Sequence, residues 1–386
     1  MSEIKTKVLF IGPLPPPYSG PELSTKQLLE SDLKSHFDII FLNTNVRKDN
    51  SKKGKIDMSA LLSVITFNLK LFKRLLFKRP DIAYHLVTPT EIGWLGRDIW
   101  FVFQCKIFGV KKIIHFRGSH LDINYKTFRP FSRKLIKYAC GLVDAAIVQS
   151  DCLKGQFKGL VSEDKVHVIP NTVDNLFKSL DRSHLSNTPQ ILFFGHLTKA
   201  KGYTDIVKVI PQVASKFPEV KFLFCGNIRR GEPGVRYNQI TKERILYEDP
   251  FEVEAEILNS EYKNNYQNLG IVSGEDKLDL IRQSWLFLLP SYSEGFSRSV
   301  LESMAAGLPI VTTPVGANKD VIKNDYNGVL INPGDLKSME LNLIRLLGNQ
   351  QLRDTLSHNG KVTFENEFEE TKVVDRYVNL FNTLMK

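Results

Sequence analysis

Short apolar runs alternate with longer amphipathic stretches along this chain, and the whole pattern occurs twice. The first series predicts strands at Lys7–Gly12, Asp38–Asn43, Asp81–Leu86, Lys112–Arg117, Ala145–Ser150 and Val166–Asn171. The second series predicts strands at Gln190–Gly195, Val220–Gly226, Leu286–Ser291, Pro309–Val315 and Gly328–Asn332. Strands that are apolar throughout, with helices between them, are typical of a parallel sheet covered on both faces. The pattern therefore predicts an α/β chain with two such sheets.

Length and spacing indicate how the two series are organised. A chain of 386 residues exceeds what one hydrophobic core usually serves. We predict a Rossmann-like domain over residues 1–180, a second over residues 181–365, and a C-terminal helix over residues 366–386 that packs back on the first. The two sheets are expected to face each other across a cleft. The charged stretch Arg229–Asn265 has no clear periodicity and is assigned only loosely.

Composition indicates a cytoplasmic protein. The chain is 42% hydrophobic and 24% charged, as globular proteins are. Its four cysteines form no C-x-x-C pair, which favours buried thiols in a reducing compartment. We find no signal-peptide pattern and no apolar run near the roughly 18 residues that a membrane-spanning helix needs.

Positive charge is concentrated in the first half. Residues 1–180 contain 28 Lys and Arg against 16 Asp and Glu, a net charge of +12, whereas residues 181–386 contain 24 against 26, a net charge of −2. Such a half predicts an anionic partner, namely nucleic acid, anionic lipid or a phosphorylated substrate, unless it is merely a solvated surface. Within it, Asn68–Arg79 mixes basic residues with Leu69, Phe72 and Leu76. These apolar residues either contact an anionic membrane or pack on the first sheet, and both can hold.

Several nucleotide-binding motifs are absent from the sequence. It contains no G-x-x-x-x-G-K-[ST] loop, and no G-x-G-x-x-G fingerprint follows the first strand of either series. It also contains no D-x-D pair, so we predict no metal ion and no cofactor. The absence of these motifs argues against a kinase, an NTPase and a simple dehydrogenase.

The most informative segment is PSYSEGFSRSVLESMAAGLPIVTTPVGANKDVI, residues 290–322. A strand here ends in a turn and leads into a helix, so the backbone N–H groups of Gly295, Phe296 and Ser297 are predicted at a helix N-terminus, where phosphate binds. Glu294 and Glu302 would repel a diphosphate unless they accept hydrogen bonds from hydroxyls that flank it. The alternative is that Glu302 is a surface residue and Glu294 caps the helix.

E-x7-E in this EGF…LE.MA.G.P.V…GA setting resembles the retaining glycosyltransferases of family 4, which have the GT-B fold. The resemblance implies that Glu294 contacts hydroxyls of the donor sugar and that Glu302 contacts the ribose. FFGHLTKAKGYTDIV resembles the family's Gly-basic…Lys-Gly motif, which implies that Lys201 holds the donor diphosphate. The family usually has Arg where this chain has His196, which makes donor binding weaker when His196 is neutral and sensitive to pH.

Other segments extend the resemblance along most of the chain. The loop IGPLPPPYSGPELST resembles one that approaches the donor phosphates, and VIPNTVD resembles the end of the family's first domain. The segment LFCGN resembles the second strand of the donor domain. The segment NLGIVSGEDKLDLIRQSWLFLLPS resembles the stretch that cradles the base. The donor-binding residues implied by all these segments are Ser19, Gly20, Gly195, His196, Lys201, Gly226, Val272, Gly295, Phe296, Ser297 and Glu302.

On the acceptor side, KKIIHFRGSHLDINY resembles a loop in which a His just before Gly lies near the reacting carbon. That position is Arg117 here, with His115 before it and His120 after it. Which of the three faces the acceptor is open, and a lone His in a strand is more often a core residue. The catalytic residues implied by the resemblance are Glu294, Lys201, Arg117 and His115.

The function that this resemblance implies is hexosyl transfer with retention from a nucleotide-diphosphate sugar, with UDP favoured. The acceptor would be a sugar chain or a lipid-linked glycan in polysaccharide assembly, at the inner face of the cell membrane. Two alternatives stay open: a sugar-nucleotide epimerase and a catalytically weak partner subunit. A nucleic-acid binder ranks last, because no motif of aromatic residues interleaved with charges for base stacking is evident.

Overall fold

The chain forms two compact units. The computed structural model describes residues 5–16, 20–44, 58–231 and 237–386, with residues 58–61 described by their backbone alone. Unit 1 comprises Met1–Asn171 and Glu370–Lys386, and unit 2 comprises Thr172–Glu369. The domain bounds that we predicted at residues 180 and 366 stay a prediction. The cleft between the sheets stays a prediction.

Unit 1 contains a six-stranded sheet in which every described pair of neighbouring strands is parallel, in the order β2-β1-β3-β4-β5-β6. Its strands are β1 Lys7–Gly12, β2 Asp38–Asn43, β3 Ile82–Leu86, β4 Lys111–His115, β5 Ala145–Val148 and β6 Val166–Val168. The six predicted strands are confirmed. Three of them end two or three residues early, because the polar ends Arg117, Ser150 and Asn171 lie beyond the parallel ladder.

Helices cover both faces of this sheet. They are α1 Gly20–Glu30, α2 Leu33–His36, α3 Met58–Lys78, α4 Glu91–Gly93, α5 Ile99–Ile107, α6 Leu121–Thr127 and α7 Pro130–Gly141. Side chains of β1 alternate between the faces, as the period of a strand requires. Leu9 and Ile11 pack in the core under α3, α5 and α7, whereas Val8 and Phe10 pack in the core under α1 and α2.

Unit 2 contains a second six-stranded parallel sheet, in the order β12-β11-β10-β7-β8-β9. Its strands are β7 Gln190–Phe194, β8 Lys221–Cys225, β9 Tyr266–Gly270, β10 Leu286–Leu289, β11 Ile310–Thr312 and β12 Val329–Leu330. Strand β9 was not predicted. It lies at the edge of the sheet and exposes Gln267 and Asn268, so its sequence YQNLG lacks the apolar run of a central strand.

The helices of unit 2 are α8 Asn175–Lys178, α9 Tyr203–Ala214, α10 Pro250–Leu258, α11 Gly274–Gln283, α12 Arg298–Ala305, α13 Asn318–Val321, α14 Leu336–Leu347 and α15 Gln350–Glu367. Helix α10 falls in the loosely assigned stretch and begins with Pro250 behind Asp249, whose side chain accepts the Phe251 N–H at 3.1 Å. No helix in the described ranges is long and apolar enough to cross a bilayer.

The last helix, α16 Glu370–Met385, belongs to unit 1. Val373, Tyr377 and Phe381, spaced by four residues, lie on one side of this helix and are buried in the core above β1. The Phe381 ring centre lies 5.3 Å from that of Phe37 and 6.0 Å from that of Phe10. The C-terminal helix therefore completes the first core.

Replacing Phe381 by Ala should destabilise unit 1 by ~3–5 kcal/mol, because the ring is fully buried and its removal leaves a cavity. Urea unfolding followed by circular dichroism measures the loss. Met385→Ala on the same helix, where the side chain is 42% exposed, is the matched control and should cost less than about 1 kcal/mol. Equal losses for both variants would contradict this account of α16.

Candidate functional site

The turn after β10 leads directly into helix α12. Ser297 caps this helix, since its Oγ accepts the Val300 N–H at 3.4 Å. Gly295, Phe296 and Ser297 therefore stand at the N-terminus of α12, where the sequence placed them. Phe296 is buried and its ring packs edge-on against Phe368, with 5.7 Å between ring centres. This apolar anchor fixes the direction in which the turn enters the helix.

Glu294, in the same turn, is held by Ser291 of that turn and by groups from two other segments. Lys201 donates to both carboxylate oxygens, with Nζ–Oε distances of 2.8 and 2.9 Å. Ser291 donates to Oε1 at 2.6 Å, and the Gln239 side-chain oxygen accepts the Glu294 N–H at 3.2 Å. The carboxylate is 8% exposed, so the ion pair balances a charge that burial would otherwise penalise. Glu294 and Lys201, predicted from separate motifs, thus lie in contact.

Two glycines allow the backbone to close around this pair. Gly202, next to Lys201, has φ +77°, and a Cβ there would lie 2.3 Å from the Pro290 carbonyl oxygen. Gly316 has φ +54°, and a Cβ there would lie 2.2 Å from the Glu294 carbonyl oxygen. Both positions combine left-handed backbone with no room for a side chain. The Gly-Ala pair at residues 316–317 therefore backs the Glu294 turn, and the Ala317 N–H donates to the Gly295 carbonyl at 2.8 Å.

Glu302 lies on α12 and is 4% exposed, so it is not a surface residue. Lys277 on α11 donates to its Oε2 at 2.6 Å. The Lys277 ammonium also lies 5.0 Å from the Phe194 ring centre and 5.4 Å from that of Phe177, within cation–π range. Lys277 is not among the residues predicted from the sequence. The one signal that could have found it is its place in the segment NLGIVSGEDKLDLIRQSWLFLLPS, which resembles the stretch that cradles the base.

The other predicted donor-side residues of unit 2 follow its parallel strands. Gly195 and His196 come directly after β7, Gly226 directly after β8, and Val272 two residues after β9. The carboxyl ends of parallel strands meet at one edge of a sheet, which is where ligands bind in α/β folds. The structure therefore brings these residues to the sheet edge from which the Glu294 turn also emerges.

The loosely assigned stretch borders the same site. Besides Gln239, it contributes Glu248, which accepts from Lys199 at 3.2 Å and from Lys208 at 2.6 Å. Burial raises the pKa of Glu248, but hydrogen bonds from Lys208 and Thr204 and the charge of Lys199 outweigh it, and the pKa falls to about 2. Glu248 is therefore ionised at neutral pH and ties this stretch to the segment that positions Lys201.

In unit 1, His115 ends β4 inside the core. It is 1% exposed, and its Nδ1 lies 2.6 Å from the Tyr84 hydroxyl. Burial first, and the nearby charge of Arg117 second, hold the pKa of His115 well below its ordinary value, so the ring is neutral at neutral pH. Arg117 follows at the strand end, partly buried, and its Nη2 donates to the same hydroxyl at 3.4 Å. This burial favours the core interpretation of His115.

The remaining predicted positions lie in loops of unit 1. His120 precedes α6 with a left-handed backbone, φ +69°, and is buried. Gly20 is the first residue of α1 and is exposed, whereas Ser19 lies outside the described residues. In the described part of the chain, no cluster of three His, Cys, Asp or Glu side chains is arranged to hold a metal ion. The absence of a metal from the reaction stays a prediction.

Comparisons with known proteins bear on this site. Residues 177–363 match the family model described as Glycosyl transferases group 1, a range that lies within unit 2. Over 376 residues the chain is 23% identical to the capsular polysaccharide biosynthesis glycosyltransferase CapM of Staphylococcus aureus, covering 92% of each chain. It is also 23% identical over 347 residues to the Escherichia coli UDP-Gal:alpha-D-GlcNAc-diphosphoundecaprenol alpha-1,3-galactosyltransferase, covering 84% of this chain and 79% of the relative.

Solved structures are similar over the whole chain. The crystal structure of Anabaena HepE in complex with UDP superposes with a TM-score of 0.73 at 16% identity, covering 98% of this chain and 100% of the other. A sucrose-phosphate synthase from Thermosynechococcus elongatus superposes with a TM-score of 0.72 at 15% identity, covering 99% of each. The fold is therefore the two-domain α/β fold of GT-B glycosyltransferases. Together with the family match, it supports a glycosyltransferase.

Gly316→Ala should destabilise unit 2 by ~2 kcal/mol, because the new Cβ would collide with the Glu294 and Gly295 carbonyl oxygens. Hydrogen exchange should also quicken at the amides of residues 294–297. The control is Gly231→Ala in the same unit, since a Cβ there meets nothing within 4 Å. Unchanged stability and exchange in Gly316→Ala would show that the turn does not need this glycine.

The burial of His115 predicts a pH dependence of stability. The pKa of His115 is lower in the folded state than in the unfolded state. Its contribution to the free energy of unfolding is therefore complete above about pH 6.5 and is lost as the pH falls below that value. The wild type should lose unfolding free energy as the pH falls from 7 to 5. In His115→Gln this loss should be smaller, by up to ~1.4 kcal/mol for each pH unit. Urea titrations at both values measure it, with exposed His36→Gln as the control. An unchanged pH slope in His115→Gln would contradict the assignment.

Proposed function

We propose that this protein is a retaining hexosyltransferase of family 4 that uses a nucleotide-diphosphate sugar, with UDP favoured as the nucleotide. The observation that carries the proposal is the arrangement of unit 2, in which two buried carboxylates, each held by a lysine, flank the N-terminus of one helix. Carboxylates at such a place suit a ligand with hydroxyls on either side of a diphosphate. A sugar nucleotide has this chemistry.

In this proposal the donor lies along the start of α12. The backbone N–H groups near Gly295 and Ser297 and the helix dipole attract the diphosphate. Lys201 carries three N–H donors, so it can hold Glu294 and a phosphate oxygen at the same time. Glu294 then accepts hydrogen bonds from the donor sugar and Glu302 from the ribose. His196, two residues after β7, lies beside the diphosphate in this proposal.

The reaction breaks the bond between the anomeric carbon and the diphosphate oxygen and forms a bond from that carbon to the acceptor oxygen on the same face. The acceptor proton passes to a phosphate oxygen of the departing diphosphate. Lys201 and the α12 amides stabilise the charge that develops on the leaving group. Glu294 and Glu302 bind hydroxyls in this scheme and act as neither nucleophile nor base. On the acceptor side, Arg117, two residues after β4, is the residue that we propose to contact the acceptor, with His120 near it in sequence.

Similar proteins support the choice of substrates. HepE was solved with UDP and with UDP-glucose, and the Escherichia coli relative is named for transfer from UDP-galactose to a diphosphoundecaprenol-linked sugar. CapM is named for capsular polysaccharide biosynthesis. We therefore propose a UDP-sugar donor and a glycan or lipid-linked acceptor in cell-surface polysaccharide assembly. We also propose that the enzyme works in the cytoplasm beside an anionic membrane, which suits the +12 net charge of residues 1–180.

Donor binding is tested by thermal shift with UDP, GDP, ADP and phosphate. One nucleoside diphosphate at a hundredfold excess over its Kd should stabilise the protein by about 2.7 kcal/mol. Lys201→Ala and Glu302→Ala should abolish the shift. The ion pair between exposed Lys337 and partly buried Glu340, with 2.9 Å between Nζ and Oε1, supplies the matched controls Lys337→Ala and Glu340→Ala, which should keep the shift. No shift with any nucleotide would overturn the donor-site assignment.

Turnover is tested by following UDP release from UDP-sugars with glycan acceptors and reading the product's anomeric configuration by NMR. We expect retained configuration, and kcat lower by ~10²–10³ in Lys201→Ala because leaving-group stabilisation is lost. An inverted product would overturn the retaining mechanism. Conversion of the donor without an acceptor would indicate an epimerase, and binding without turnover a partner subunit.

A further inference from the structure

Helix α3 carries two apolar stripes, and the core uses one of them. Phe67, Leu71 and Leu75, spaced by four residues, are buried against the sheet of unit 1. Leu69, Phe72 and Leu76, which could have packed on the sheet, are instead exposed, at 58%, 46% and 40%. Spacings of three and four residues place them in a row along the outside of the helix. The exposed stripe therefore needs an explanation other than packing.

The exposed stripe continues onto the neighbouring helices. Helix α5 contacts both α3 and α7. Phe72 packs against Phe108 at the end of α5, with 5.4 Å between ring centres. Phe103 of α5 packs against Tyr138 of α7, with 6.1 Å between ring centres. Ile107 on α5 and Phe131 on α7 are 78% and 75% exposed. A contiguous exposed apolar surface of this kind marks an interaction site.

The same three helices carry charge of a single sign. Helix α3 contains four Lys and Arg, α5 one and α7 three, and none of the three contains an Asp or a Glu. Eight of the 28 basic residues in the first half thus lie on this basic–apolar face, by which we mean the outer surface of α3, α5 and α7. Lys70, Lys73 and Lys134 are exposed among the apolar side chains. Apolar residues interleaved with positive charge, on helices that contain no acidic residue, are typical of helices that lie on an anionic bilayer.

We propose that the basic–apolar face is a membrane-binding surface that lies on a bilayer containing anionic lipid, with the Leu69, Phe72 and Leu76 stripe inserted at the level of the headgroups. This inference rests on the proposed function and specifies the surface that meets the membrane. A second copy of the chain suits the face poorly, because a two-fold contact would bring eight positive charges against eight others. A nucleic acid suits it less well, because the exposed stripe also contains Leu69 and Leu76, which can insert among acyl chains but cannot stack on bases.

The test is cosedimentation of the full-length protein with vesicles of phosphatidylcholine alone and of phosphatidylcholine mixed with phosphatidylglycerol. The wild type should pellet with the anionic vesicles, less so at high salt, and far less with neutral ones. Lys73→Glu combined with Lys134→Glu should weaken binding by at least about tenfold. The matched control makes the same charge change elsewhere, at the exposed residues Lys158 and Lys216, and should leave binding near that of the wild type.

The apolar contribution has its own pair of variants. Leu69→Ser should weaken vesicle binding severalfold, whereas Leu341→Ser, at a residue 53% exposed on α14 of unit 2, should not. The inference is wrong if the wild type stays in the supernatant or if the face variants bind vesicles as well as the wild type does. It is also wrong if the protein binds a duplex oligonucleotide more tightly than anionic vesicles, or if it forms a dimer that the face variants dissociate. The nucleotide thermal shift of each variant, measured without vesicles, separates this inference from the proposed function. If the shift persists while vesicle binding is absent, only the membrane surface is wrong.

Discussion

Two buried carboxylates and the lysines that neutralise them hold the functional end of unit 2 together. A carboxylate taken out of water is costly unless a cation and further hydrogen-bond donors meet it. Glu294 meets Lys201 from the segment after β7, and Glu302 meets Lys277 from α11. Each pair joins the region around α12 to an element more than twenty residues earlier in the chain. Removing one partner would leave the other charge buried, so the segments can move apart only at a high energetic cost.

This constraint explains why the surrounding sequence is so restricted. The Glu294 turn is backed by Gly316, where any side chain would strike the Glu294 carbonyl, and is braced from the side by Gln239. Gln239 and Glu248 come from a stretch with little periodic pattern, yet they bond to the turn and to Lys199. The stretch is therefore part of the scaffold that positions Lys201 and Glu294, the two residues that we propose to bind the donor. Fixed donors and acceptors need no reorganisation during a reaction, which is the physical advantage of such a scaffold.

Much of this arrangement could be predicted from the sequence, for identifiable reasons. Central strands are apolar throughout and helices have a 3.6-residue period, so eleven of the twelve strands were predicted, and Glu294 and Lys201 were singled out by their motifs. The edge strand β9 was missed because half of its side chains face water. Lys277 was missed because pairing across the fold leaves no periodic signal, and Gln239 for the same reason. His115 was singled out as a candidate site residue because of its position at the end of a strand. A polar residue there can also lie inside the core when a hydrogen-bond partner meets it, and here that partner is Tyr84.

Helix α3 shows where a pattern admits two answers and the fold decides between them. Apolar residues on both sides of a helix predict burial, but one sheet can cover only one side, and here it covers Phe67, Leu71 and Leu75. The net charge of the first half is similarly ambiguous until the positions of the charged residues are known. Salt at physiological strength screens exposed charges beyond about 8 Å, so only basic residues that lie close together act jointly. Spread evenly, an excess of twelve positive charges would act on nothing in particular. Eight of the basic residues instead lie on three contacting helices that carry no acidic residue, beside an apolar stripe, so they act as one surface. The ligand that we propose for that surface is itself extended, negatively charged and apolar underneath.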